Sequence, residues 1–365
     1  MAVVLPTGVQ AKFWAVQEAT YNTHVAYTAA TDAVPLISLE ITPSYEFHPS
    51  KERTGTASLQ REIAGLKGGT WSASMYAKPE GTTVNAIPDI SPFLLAAFGD
   101  QNTSGDVTYR MHDGTNEVFT PTSLQISRQV GSSLLETVNG AWIEQVDIEI
   151  VGNAETIINV SGGFASYGWC YGAQTNGAIS STSAVDVTVD SATAERIGVV
   201  GATVADDSTI EPFAQAGVLT ANNPLGGVGG GLSIGGTVLG LISFKVSYKT
   251  GIHGLATEAS ATGPNRLAKG AREVTGEISS YFLTSTTATE DISRIVGGAW
   301  NGATLALIAR AGADTTKERM KIQVPSARIS VSPVSLPETE EATVSLSFVA
   351  RQSSTGGDEL SIDFD

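Results

Sequence analysis

Cysteine is almost missing from this chain of 365 residues: Cys170 is the only one. No disulfide can form within the chain, and such a composition fits a reducing interior. Positive charge is scarce too, with 21 Lys and Arg against 37 Asp and Glu, a formal net charge of −16. A protein that grips nucleic acid through its phosphates carries a basic footprint, and this sequence has none. An acidic surface that nucleic acid slides past remains open. Long apolar runs are lacking. The richest, Gly226 to Phe244, is diluted by glycine and serine and falls short of the roughly 18 apolar residues that span a bilayer. The opening residues, MAVVLPTGVQAKFW, lack a charged segment followed by an apolar one, so no signal peptide is expected.

Catalytic and ligand-binding patterns are equally sparse. The histidines, His24, His48, His112 and His253, stand apart from one another and from other ligand types, whereas zinc needs three or four converging ligands. GLSIG at Gly231–Gly235 has the spacing of a nucleophile elbow around Ser233, but the residues after it read as strand, where the elbow requires a helix. GGVGGG is followed by neither Lys-Ser/Thr nor a helix, so a phosphate loop is excluded and a flexible turn expected. Cys170, between Trp169 and Tyr171, has no basic neighbour to activate it and reads as a packed thiol. Asp206, Asp207 and the acidic residues Asp358, Glu359, Asp363 and Asp365 lack the alternate oxygen ligands of a calcium loop. No catalytic, cofactor or metal residues are expected.

What the sequence does contain is a repetition. REIAGLKGGTWSASMYA at Arg61–Ala77 is echoed by RLAKGAREVTGEISSYF at Arg266–Phe282. This alignment puts Tyr76 over Tyr281 and Lys67 over Arg272. Further matches follow in the same order. Tyr45 lies over Tyr248, Asp89-Ile90-Ser91 over Asp291-Ile292-Ser293, Ser123–Ser127 over Thr304–Ile308, and Phe164 near Phe348. The first copy is longer within Gly99–Pro121, where an added hairpin with an Asp113-Gly114 turn is expected.

Each copy alternates apolar and polar residues, as in Trp142–Ile150 and Ala327–Val334, the mark of an antiparallel sheet with one face on a core. Each has one helical candidate, Ser91–Gly99 and Asp291–Trp300, and Ser91-Pro92 reads as a cap followed by a first-turn proline. The expected fold is mainly β: two tandem β-sandwich or half-barrel domains, each with a flanking helix. Residues 1–167 form the first, 168–221 a linker with a small insertion, and 222–365 the second.

Two stretches between the repeated strands, Lys51–Lys67 and Lys249–Arg272, hold eight of the 21 basic residues: Lys51, Arg53, Arg61, Lys67, Lys249, Arg266, Lys269 and Arg272. Long loops without structure of their own tend to be functional. These read as contacts to a neighbouring copy of the chain, with solubilising charge as the plainer alternative.

The ordered motifs resemble the tail tube proteins of long-tailed bacteriophages. VQEATYNT at Val16–Thr23 is similar to their Glu-x-Thr-x-Gly-Thr stretch, with Asn22 in place of the usual glycine. GGTWSASMYA followed by SPFLLAAFG, REVTGEISSYF, and the closing IQVPSARISVSPVSLPETEEATVSLSFVA resemble that family's strand–helix unit, second strand signature and final strands. The resemblance implies a β-sandwich with a flanking helix. It implies sheets joined between subunits into a barrel ring, rings stacked into a tube, and DNA passing through the lumen without specific binding. The basic stretches named above would then reach the adjacent ring. A doubled chain would close as a homotrimer with pseudo-sixfold symmetry, meet other tail proteins, touch no membrane, assemble in the host cytoplasm and reside in the virion tail. The other readings kept open are a decoration or baseplate β-domain of a virion, a carbohydrate-binding module and an enzyme. The enzyme reading lacks any convergent catalytic cluster.

Overall fold

The computed structural model describes residues 11–23, 25, 32–49, 62–79, 87–104, 106–111, 121–130, 134–175, 178–185, 225, 231–257, 263–281, 295, 304–311, 319–331, 342–353 and 357–364. The chain is mainly β, in large antiparallel sheets with one described helix. Its first part supplies strands β1 (Ala11–Gln17), β2 (Ser38–Pro49) and β3 (Glu62–Tyr76), then helix α1 (Ser91–Phe98). Next come β4 (Asp100–Asn102), β5 (Val107–Arg110), β6 (Leu124–Val130), β7 (Leu134–Ala141), β8 (Gln145–Val151) and β9 (Ile157–Phe164). Strands β10 (Ser166–Thr175) and β11 (Ala178–Val185) follow. The later part supplies β12 (Gly231–Ile234), β13 (Thr237–Leu239), β14 (Leu241–Lys249), β15 (Ile252–Leu255), β16 (Arg266–Lys269) and β17 (Glu273–Tyr281). It ends with β18 (Thr304–Ala311), β19 (Met320–Val331), β20 (Thr343–Ala350) and β21 (Ser361–Phe364).

Alternation makes the strands. In β8, Val146, Ile148 and Ile150 are buried while Gln145, Asp147 and Glu149 face away, and Phe244, Val246 and Tyr248 do the same in β14. Their pairing builds a 14-stranded sheet whose main path runs β13-β12-β18-β19-β20-β17-β14-β8-β9-β3-β2, with β21, β5 and β4 off it. A five-stranded sheet, β1-β6-β7-β10-β11, lies beside it, and one apolar cluster containing Phe93, Ile126, Ile148, Phe244, Ile322 and Phe348 is shared by both.

The repetition is visible in strand order. The run β2-β3-β9-β8 is matched by β14-β17-β20-β19. In the first run Gly69 pairs with Phe164, and in the second Gly276 pairs with Phe348. Neither glycine has room for a side chain. A Cβ on Gly69 would lie 2.3 Å from the Thr42 carbonyl oxygen and 2.5 Å from the Phe164 ring, and one on Gly276 2.3 Å from the Lys245 carbonyl oxygen and 2.4 Å from the Phe348 ring. Thr42 thus corresponds to Lys245 and Tyr45 to Tyr248. The sequence alignment of β3 with β17 is corrected by two residues: it places Trp71, not Gly69, over Gly276. A slip of two leaves every side chain on the same sheet face, so the apolar pattern cannot detect it.

Other expectations shift. Within the longer first copy β4 and β5 form a hairpin that was not expected, with Asp100 opposite Arg110. The Asp113-Gly114 turn lies outside the described residues. Helix α1 begins after Ile90, with Ser91 already helical and Pro92 beside it; the Ser91 hydroxyl accepts from Gln101 Nε2 at 3.3 Å instead of capping. Of the second helical candidate only Ile295 is described, helical and buried. Within the expected linker, 168–175 belong to β10, which pairs with β7, and 178–185 form β11. Ser233 lies in β12, flanked by Val238 and Ile308 in a hairpin with a Gly235-Gly236 turn, so the strand-then-helix geometry of a nucleophile elbow is not formed there.

The turn after β1 is held by a buried carboxylate. Glu18 Oε2 accepts from the Asn22 amide at 2.8 Å and the Ser123 hydroxyl at 2.5 Å, while Oε1 accepts from the Gly140 amide at 2.8 Å. Asn22 sits at φ 55°, in the left-handed region. Burial, helped by the Glu18 charge, pushes the Tyr21 phenol well above its ordinary pKa.

Candidate assembly surface

The two halves meet edge to edge. Ser243–Lys249 of β14 pair in antiparallel register with Gln145–Val151 of β8, so the strands of both halves form one continuous sheet. Four further contacts cross this joint. The Tyr248 hydroxyl donates to the Ala97 carbonyl of α1 at 3.2 Å, and its ring lies 5.1 Å from that of Phe98. Strand β5 pairs with β21. Trp142, 7 % exposed, packs on Ile252 and Leu267 of the β15–β16 hairpin. Its indole approaches Gly254 so closely that a Cβ there would lie 2.5 Å away. The Thr250 hydroxyl adds a 2.6 Å bond to the Ile143 carbonyl.

The sheet face turned from the core is polar. One row crosses eight strands in register: Ser38, Ser74, Asn159, Asp147, Ser247, Thr275, Val349 and Arg328. In the next row Lys245 stands between Glu149 and Glu277. The charged residues described on this face of the eight strands are Glu40, Asp147, Glu149, Glu273 and Glu277 against Lys245, Lys249, Lys321 and Arg328. The face is therefore rich in hydroxyls and mildly acidic. At its end, β2 pairs with β3 on one side, and among the described residues no strand covers its other side.

The basic residues singled out from the sequence have different surroundings. Lys51, Arg53 and Arg61 lie outside the described residues. Lys67 is in β3, opposite Tyr45. Lys249 ends β14 and forms an exposed 3.0 Å ion pair with Glu273. Arg266 and Lys269 are exposed at the two ends of β16. Arg272 turns inward: its side chain is 10 % exposed and lies 3.5 Å from Glu359. Parts of these stretches are strand: residues 62–67 belong to β3, and Ile252–Leu255 of β15 pairs with Arg266–Lys269 of β16, while 51–61 and 258–262 lie outside the described residues. Sequence reasoning missed Trp142, Tyr248 and the β8–β14 pairing; the sole signal was the recurrence of Tyr45 as Tyr248.

Among the described residues, no group of three or more His, Cys, Asp or Glu is placed to hold a metal ion. Trp14, Trp71 and Trp142 are buried and offer no exposed stacking platform for a sugar, while Trp169 and Trp300 are not described at the side-chain level. Among the described residues no helix is long and apolar enough to cross a membrane. No protein-family model matches the chain, and no curated protein matches its sequence.

Proposed function

We propose that this chain is a structural virion protein that closes with other copies of itself into rings, and that stacked rings form the tube of a phage tail through which DNA passes. One observation carries the reading: two repeats of one strand order are joined through strand edges at β8–β14, while among the described residues no strand pairs with the outer edge of β2. An open edge displays unpaired backbone donors and acceptors, a liability that ring closure removes. Three chains would supply six repeats. Head-to-tail contacts close into rings, and a ring's two unlike faces can stack without limit. The hydroxyl-rich, mildly acidic sheet face suits a wall that repels phosphate, as does the net charge of −16. Asn22 supports the family resemblance, because its φ of 55° is one that glycine and asparagine both tolerate.

Electron microscopy of the purified protein tests the reading. Rings or hollow tubes with threefold averages are expected. A monodisperse monomer at every concentration and salt would sink it.

A further inference from the structure

Strand β2 carries a proline where its counterpart β14 carries a valine. The Gly69–Phe164 and Gly276–Phe348 fits put Thr42 where Lys245 stands, and so Pro43 where Val246 stands. Proline has no amide proton to give to a strand ladder, and sheets tolerate it at bulges or where its nitrogen meets no partner strand. Pro325 is of the first kind. It lies in β19 at a register shift against β18, between the Leu305–Ala327 and Leu307–Val324 pairs. Pro43 is of the second.

The phase of the ladders shows where its nitrogen points. At the internal joint the Gly152 amide donates to the Ile242 carbonyl and the Thr250 amide to the Glu144 carbonyl, both at 2.9 Å. Between these ends every second residue of β14 turns its backbone groups to β8, and Val246, opposite Ile148, is one of them. The Lys245 carbonyl turns the other way, onto Gly276 of β17. On β2 the Thr42 carbonyl likewise lies over Gly69 of β3. The backbone groups of Ile41 and Pro43 therefore face the outer edge, where among the described residues no strand pairs. Burial agrees: Phe244 and Val246 are buried, whereas Ile41 and Pro43, at the matching positions, are half-buried. The edge thus offers the Ile41 amide and the carbonyls of Ile41 and Pro43, and lacks the donor that Val246 supplies to β8.

We infer that Pro43 sets the strength and selectivity of the contact between copies of this chain: a second copy that pairs with β2 forms a ladder one donor short of the β8–β14 joint. The inference rests on the ring-forming reading above and adds the residue that keeps the contact reversible. The occupant is a second copy because β14, the same strand of the other repeat, takes a strand of this chain at the corresponding edge. The missing donor has two effects. It makes the junction between chains the weaker one, so a ring opens there and not at β8–β14. It also leaves the free edge a poor template for unrelated strands, as prolines on exposed edges do.

The test uses the 365-residue chain with Pro43→Ala and Pro43→Val, which both restore the amide, and Val246→Pro, which removes one from the internal joint. Sedimentation velocity gives the concentration for half-assembly, hydrogen exchange the protection of the amide at position 43, and thermal unfolding the stability of the unassembled form. Both Pro43 variants are expected to half-assemble at a concentration at least about fivefold lower, the worth of one backbone hydrogen bond. Their new amide should exchange slowly in the assembled form and quickly in the unassembled one, and Val246→Pro should melt well below the parent. Equal assembly of the parent and both Pro43 variants would overturn the inference and leave the ring reading standing. So would a gain confined to Pro43→Val, which would trace it to the side chain. Slow exchange of the new amide in the unassembled form also overturns it, since the chain itself would then cover the edge. Val246→Pro melting with the parent would remove the ladder phase on which it rests. If the parent stays monomeric while Pro43→Ala assembles, the inference holds and the ring reading falls. If none of them assembles at any concentration, both fall.

Discussion

Glu18 is 6 % exposed and accepts three hydrogen bonds that tie the turn after β1 to β6 and β7. Truncating it strands the buried Gly140 amide and Ser123 hydroxyl and the partly buried Asn22 amide, so Glu18→Ala is expected to cost about 2–4 kcal/mol, read as a lower urea midpoint at unchanged slope. Tyr21 beside it gives a pH signature. Its pKa is raised in the folded state, by burial first and by Glu18 second. The unfolded phenol ionises near pH 10 and the folded one resists, so the stability it contributes is complete below about pH 10 and is lost as pH rises beyond that. Urea midpoints between pH 9 and 11 should fall more steeply for the parent than for Tyr21→Phe; parallel slopes would show that the buried phenol contributes nothing. The glycine pair Gly69 and Gly276 lies deeper in the architecture: each marks where a phenylalanine ring crosses a neighbouring strand in its half of the chain.

The arms between paired strands separate structural from available charge. On the proposed ring assembly, Arg53→Glu, Arg61→Glu and Arg266→Glu together should leave the melting temperature unchanged and weaken stacking in sedimentation; undiminished polymers would remove these residues from the contact. Arg272→Glu belongs to a different class, because it sets a second carboxylate against Glu359 and should lower the melting temperature by itself. At this scale much was legible. Alternation such as Val146, Ile148 and Ile150 announces a strand half-buried on a core, and Pro92 with Gly99 brackets α1. Legibility stopped where partners are distant. The β3–β17 alignment slipped by two because strands have period two. The strand portions at 62–67, 252–255 and 266–269 read as loop because glycine and charge interrupt their alternation. The β8–β14 pairing left no mark because any two alternating strands are compatible as neighbours.

The halves share a core, the β8–β14 ladder and the β5–β21 ladder. A single cooperative unfolding transition is therefore expected in calorimetry, with van't Hoff and calorimetric enthalpies in agreement; two resolved transitions would mean that the joint is weaker than either half. The joint also has an arithmetical effect. Since β8 and β14 are held together by the chain itself, repeats always arrive in pairs, and any closed circle made from such molecules contains an even number of them. Circles of five or seven repeats, near misses in curvature to six, are ruled out by parity. Closing a circle of six also takes the meeting of three molecules in place of six, because half of the edges have already found each other at the high local concentration that a covalent tether provides.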